Sequence, residues 1–265
     1  MTEWNAAEYA RRSSLQEVMA EEVLALLALD GSEQVLDIGC GDGKVTAQIA
    51  ARVPNGSVIG VDPSHEMIAF AAQHFDSTTH PNLRFEVADA RRLPFREAFD
   101  LIVSFNALHW IPDQEHALQS IRSAMKPDAL AQLRLVPKGG RESIEDVLEE
   151  TRLSARWARY FADFRDPYLH LTPDQYAALA EENGLHVRRI HTAAKTWDYQ
   201  SRAAFFAVGS VTFIEWTRRL PEAERPAFIT DVLDRYQSVA CDRPGEENVF
   251  RFYQMDITLA RAAED

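Results

Sequence analysis

Cysteine is scarce: Cys40 and Cys241 are the two in 265 residues. They are far apart and in no metal-ligand spacing, so no structural disulfide, no zinc or other metal site and a reducing compartment are expected. No run of roughly 18 or more apolar residues occurs, which excludes a hydropathy-type transmembrane helix. Residues 1–9 are polar and acidic, unlike a secretory signal. A cytoplasmic protein without a membrane partner is expected. Basic charge is also in deficit, with 28 Lys and Arg against 41 Asp and Glu and a net charge of −13. Lys and Arg never cluster beyond a pair. Nucleic-acid binding draws on basic surface that displaces counterions from phosphates, so a small-molecule substrate is expected and no nucleic-acid partner. Internal repeats and low-complexity segments are missing too, and nothing in the chain fixes an oligomeric state.

What is present is an ordinary globular composition, 46% hydrophobic and 26% charged. Apolar residues at helical spacing (Leu15, Val18, Met19, Val23, Leu26, Leu27) predict a first helix over residues 5–29. Short apolar runs then alternate with helical patterns. Strands are expected at 34–38, 58–61, 83–87, 99–104 and 129–136, with helices at 45–52, 64–75 and 113–125. That alternation predicts an α/β fold, a mostly parallel sheet with helices on both faces. Beyond Pro137 the pattern turns helical and aromatic. Residues 142–164 read as helix, and Thr172, Pro173 and Gly184 frame a short helix at 173–183. A strand at 185–190, a second helical insert at 201–240 and a closing strand at 249–259 follow. Three segments result: 1–30 as a lid helix, 31–137 as a Rossmann-like core, and 138–265 as helical inserts with the last two strands.

Chemistry concentrates at Asp37-Ile38-Gly39-Cys40-Gly41-Asp42-Gly43, between a strand and a helix. Alternating glycines let backbone amides approach a ligand, and the next helix offers its positive end. A dinucleotide loop places its third glycine one residue later, where Lys44 stands. An acid two places before the first glycine suits a ligand carrying an ammonium group better than a pyrophosphate. Asp62 ends the second strand, placed to accept ribose hydroxyls. Asp89-Ala90 follows the third, placed for an adenine amino group and a ring nitrogen. Acids at three successive strand ends line one crevice of an open sheet.

These segments, with Gly60-Val61-Asp62 and 99–110, resemble the successive motifs of class I S-adenosylmethionine (SAM)-dependent methyltransferases over about residues 34–137. The resemblance implies SAM as cofactor and seven strands with the last antiparallel. It implies a cofactor set of Asp37, Gly39, Cys40, Gly41, Gly43, Asp62, Pro63, Met67, Asp89, Ala90 and Asn106. A narrower likeness, through Trp4-Asn5, Tyr9, 106–110, Trp216, Leu220-Pro221 and 250–252, is to the trans-aconitate and juvenile hormone acid methyltransferases. These relatives esterify carboxylic acids under a helical cover. The stretch 134–138 departs from the aconitate enzymes, and Lys126-Pro127-Asp128-Ala129 replaces a common Pro-Gly-Gly turn.

On the first helix Tyr9, Arg12 or Ser13, and Gln16 share a polar face, which is either solvated or turned to substrate. Trp110, just past the fourth strand, offers an indole N–H to a carboxylate. His109 beside it is the candidate catalytic residue, as hydrogen-bond partner or general base. The aromatics of the helical inserts read mainly as core. A carboxylate acceptor reaches the site ionised and needs no base, so O-methylation of a small carboxylic acid is expected. Methylation of an amine, phenol or activated carbon, cofactor binding without turnover, and a nicotinamide oxidoreductase stand as alternatives.

Overall fold

The computed structural model describes residues 14–262, the side chains of residues 14–18 and 20 lying outside that description. The expected first helix is described over Ser14–Leu26 (α1). Trp4, Tyr9 and Arg12 lie outside the described residues, and Gln16 is described as helical backbone alone.

Seven strands form one sheet: β1 (Gln34–Ile38), β2 (Ser57–Asp62), β3 (Leu83–Val87), β4 (Phe99–Phe105), β5 (Met125–Leu135), β6 (Leu185–Asp198) and β7 (Val249–Arg261). Their spatial order is β3-β2-β1-β4-β5-β7-β6. β1 to β5 are parallel, and β7 runs antiparallel between β5 and β6. The order turns back on itself at β1, which has β2 on one side and β4 on the other. Parallel strands joined this way open a crevice at their carboxyl ends.

The helices that flank the sheet are α2 (Lys44–Arg52), α3 (His65–His74), α4 (Gln114–Ala124) and α6 (Pro173–Glu182); α5 (Ile144–Leu153), α7 (Arg202–Thr212), α8 (Ile214–Thr217) and α9 (Arg225–Ala240) form a separate layer. Side-chain alternation along the strands assigns the faces. Leu36 and Ile38 join Leu118 and Ile121 of α4 and Tyr176 and Ala180 of α6 in one core. Val35 and Val58 join Val23 and Leu24 of α1 and Ala47, Ile49 and Ala50 of α2 in another. Both faces are thereby covered, which is why β1 is buried at four successive residues. A third core, with Trp157, Trp216 and Phe228 at its centre, holds α5 and α7–α9 together.

Local signals set the helix starts. Ser64 Oγ accepts the Met67 N–H at α3, Asp113 caps α4, and reciprocal capping boxes open α5 at Ser143/Asp146 and α6 at Thr172/Gln175. Each is worth about 1 kcal/mol. The helix expected over 142–164 stops at Leu153, because Ser154 is extended (ψ 155) and its hydroxyl donates to the Thr151 carbonyl at 2.7 Å. The sixth strand extends eight residues past the expected 190, to Asp198, because β7 supplies a ladder along its whole length.

A buried guanidinium fixes α1 to the sheet. Arg134, near the end of β5 and 4% exposed in its side chain, pairs with Asp256 of β7 at 2.7 Å and Glu22 of α1 at 3.2 Å. Lys195 of β6 reaches the same Glu22 at 2.8 Å. A charge so buried persists where it is paired on several sides. α1 then closes one side of the crevice with Met19 and Val23.

Candidate active site

The crevice is a cavity of about 1060 Å³ at the carboxyl ends of β1 to β4. Its floor is the loop after β1, where Gly39, Gly41 and Gly43 all have positive φ (75°, 53° and 82°). At Gly39 the reason is a close approach: a Cβ would lie 2.1 Å from that of Ala107, in the loop after β4. At Gly41 a Cβ would meet no protein atom within 4 Å, so the bare backbone there faces open space. Gly39 and Cys40 donate their N–H groups to the Val61 carbonyl at 2.7 and 3.0 Å, tying the loop to β2.

The three strand-end acids all line this crevice. Asp37 is 3% exposed, and its Oδ2 accepts the Thr46 hydroxyl at 2.7 Å. Burial pushes its carboxyl up to about 7, with the Thr46 bond opposing and the Asp62 charge adding to the rise. Asp62 is aimed by two backbone donors, Gly41 N–H to Oδ2 at 3.1 Å and Ser64 N–H to Oδ1 at 2.9 Å. Asp89 caps the turn at 90–92 and is gripped by its own neighbour, with Arg91 Nε 2.9 Å from Oδ1 and Nη2 2.5 Å from Oδ2. That guanidinium holds the Asp89 carboxyl below the usual range.

Pro63, Met67 and Ala90 also line the crevice, as does Cys40, whose thiol burial pushes up. Asn106 stands at the end of β4 in the left-handed region (φ 59°), its N–H bonded to the Arg134 carbonyl. Its Oδ1 is buried with no hydrogen-bond partner, an acceptor at the crevice wall that lacks a donor. Acids at strand ends, a bare loop and an orphaned acceptor suit a cationic adenosyl amino acid, and SAM is one.

Trp110 lines the crevice, its ring edge-on to Tyr168 at 5.1 Å and against Trp216 at 6.4 Å. His109 does not reach the crevice, contrary to expectation. It is 4% exposed, and its Nδ1 accepts the Val136 N–H at 3.3 Å. Burial lowers its imidazole to about 3. The short helical turn at 108–110 sends consecutive side chains in different directions, so Trp110 faces the cavity and His109 the protein interior.

Three residues at or behind the crevice carried no sequence signal. Thr46, buried in the first turn of α2, stands behind the wall, where only the fold brings it to Asp37. Glu215 and Arg218 come from the distant helical layer, paired with each other across one turn and lining the roof beside Trp110. Burial raises the Glu215 carboxyl, and Arg218 opposes the rise.

Fold and site together define a class I SAM-dependent methyltransferase. A family model described as a methyltransferase domain matches residues 35–128. The chain is 30% identical to a trans-aconitate 2-methyltransferase of Deinococcus radiodurans, over 97% of this chain and 98% of that protein. It is 26% identical to the putative methyltransferase 235L of Invertebrate iridescent virus 6, over 89% and 86% of the two. The solved YcgJ protein of Bacillus subtilis shares the fold, with a TM-score of 0.67 at 18% identity, covering 94% of this chain and 100% of that one. A Haemonchus contortus phosphoethanolamine N-methyltransferase solved with S-adenosylhomocysteine superposes with a TM-score of 0.60 at 18% identity, over 93% of this chain and 53% of that one. The chain belongs to the SAM-dependent methyltransferase family, in the group that contains the trans-aconitate 2-methyltransferases.

Proposed function

We propose that this methyltransferase esterifies a carboxylate oxygen of a small organic acid in the cytoplasm. The observation that carries the reading is its end-to-end similarity to an enzyme named for methylation of an organic acid. When bound, SAM would supply a methyl group already activated by its sulfonium for transfer in line to the carboxylate oxygen. The chain's own residues bind, orient and exclude water. Asp37 and Asn106 hold the ammonium end of the cofactor, Asp62 its ribose and Asp89 with Ala90 its adenine. Trp110 walls the acceptor compartment, and Tyr9, Arg12 and Gln16 are the further candidates for contact with the acceptor. A carboxylate, with a reference pKa of about 4, needs no proton removed. The withdrawn His109 fits that requirement, and its task is to fix the position of Trp110 rather than to move a proton.

One observation favours a second reading on the same fold. Glu215, a half-buried acid with a raised pKa, lines the acceptor side and has the properties of a base for an amine or phenol. Incubation with methyl-labelled SAM and a panel of acids, amines and phenols decides between them. A base-hydrolysable labelled product from an acid supports the ester. A base-stable product, lost in Glu215→Gln, overturns it.

A further inference from the structure

A second cavity, of about 170 Å³, lies beyond the ends of β5 and beside the β6–β7 ribbon, and it shares no lining residue with the crevice. Five basic side chains line it: Lys138, Arg141, His170, Lys195 and Arg251. The acids in its wall are Glu142 and Asp146. Such a concentration is unexpected in a chain of net charge −13.

The arrangement of counter-charges is informative. Arg141 is held by Asp242 at 2.9 Å, Arg251 by Glu246 at 2.9 Å and Lys195 by Glu22 at 2.8 Å. His170 is held by Asp166 at 2.7 Å on one ring nitrogen and by Asp146 at 3.2 Å on the other, which keeps it charged up to about 10. Asp242, Glu246, Glu22 and Asp166 all stand outside the cavity wall. These four hold cations that line the cavity without lining it themselves, whereas Asp146, the second partner of His170, does line it. Lys138 makes no ion pair among the described residues and is exposed at the rim. Its backbone is pinned by its N–H to the Leu171 carbonyl at 2.8 Å. Basic donors held in place ahead of binding recognise an oxyanion at little ordering cost.

We propose that this cavity binds a small polyvalent oxyanion, at a site separate from the crevice. Tyr168 connects the two. It lines the second cavity, and its ring lies 5.1 Å from those of both Trp110 and His109. An anion seated on the basic wall braces Tyr168 against the crevice wall from behind. Phosphate and a small dicarboxylic acid present the same chemistry, and the test separates them.

The full chain is titrated calorimetrically with inorganic phosphate and, separately, with succinate, each with and without saturating S-adenosylhomocysteine. One saturable site is expected, with a dissociation constant on the order of 1 mM or tighter, weakened by salt and not displaced by S-adenosylhomocysteine. Lys138→Glu weakens binding at least about tenfold while its melting temperature matches the parent. Saturation by phosphate alone assigns the inorganic ion, and saturation by succinate alone assigns an organic acid. Failure of both to saturate, displacement by S-adenosylhomocysteine, or undiminished binding in Lys138→Glu overturns the proposal.

Discussion

Thr46 donates its hydroxyl to Asp37 Oδ2 at 2.7 Å across the first turn of α2, and no other side-chain hydrogen bond to this buried acid is found among the described residues. Thr46→Val preserves shape and removes the donor, leaving the carboxylate to be buried less well solvated. A loss of about 1–3 kcal/mol in stability is expected, with S-adenosylhomocysteine affinity reduced several-fold at neutral pH because Asp37 ionises less readily. Urea unfolding and calorimetry check both. If neither Thr46→Val nor Asp37→Asn changes cofactor affinity, Asp37 does not face the cofactor.

The raised pKa of Asp37, about 7, predicts two opposite pH trends. The folded state binds this proton more tightly than the unfolded chain does. Its contribution to stability is therefore fully present below the unfolded value near 4 and is lost as pH rises through 7. A ligand that sets an ammonium group beside Asp37 selects the ionised form, so affinity for S-adenosylhomocysteine rises over the same interval, by up to about tenfold per pH unit, and levels off above it. Melting curves and calorimetry from about pH 5 to 8.5 register both slopes, and Asp37→Asn flattens both.

For His109 the expected outcome is a stability phenotype without a catalytic pH signature. Its folded pKa, about 3, lies below the unfolded value of about 6.5. Its contribution is thus present above that value and fades as pH falls towards 3. His109→Ala costs about 2–4 kcal/mol through lost packing and an unsatisfied Val136 N–H, and the pH–rate profile keeps its shape. A residual rate that becomes newly and steeply pH-dependent in the variant would restore His109 as a base.

Two alanine substitutions in one loop should separate fold from function. Gly39→Ala drives a methyl into Ala107 and is expected to lose most of the folded protein. Gly41→Ala meets no protein atom. Apart from a backbone strain of about 1–2 kcal/mol it folds, yet it obstructs the crevice floor and weakens S-adenosylhomocysteine at least about tenfold. Circular dichroism and calorimetry on both proteins test the contrast.

Local chemistry explains why so much of the crevice could be anticipated. Glycines, strand ends and caps are written in neighbouring residues, and Asp37, Asp62 and Asp89 needed only the alternation of strands and helices to be placed together. What was missed depends on distance or direction. The turn that separates His109 from Trp110 differs from a continuing strand by a few dihedral angles. Arg218 reaches the crevice only because Trp216, its near neighbour, is buried in the helical layer with its indole N–H on Glu149 at 2.8 Å. The length of β6 was hidden because its half-buried positions past 190 are Ala193, Lys195 and Trp197, and no apolar run marks them.

Arg134 joins Glu22, early in the chain, to Asp256, near its end. The guanidinium thereby couples the helix at the crevice mouth to an antiparallel strand that itself lines none of the crevice. A disturbance of β7 is felt at the cofactor's doorway through this one cation.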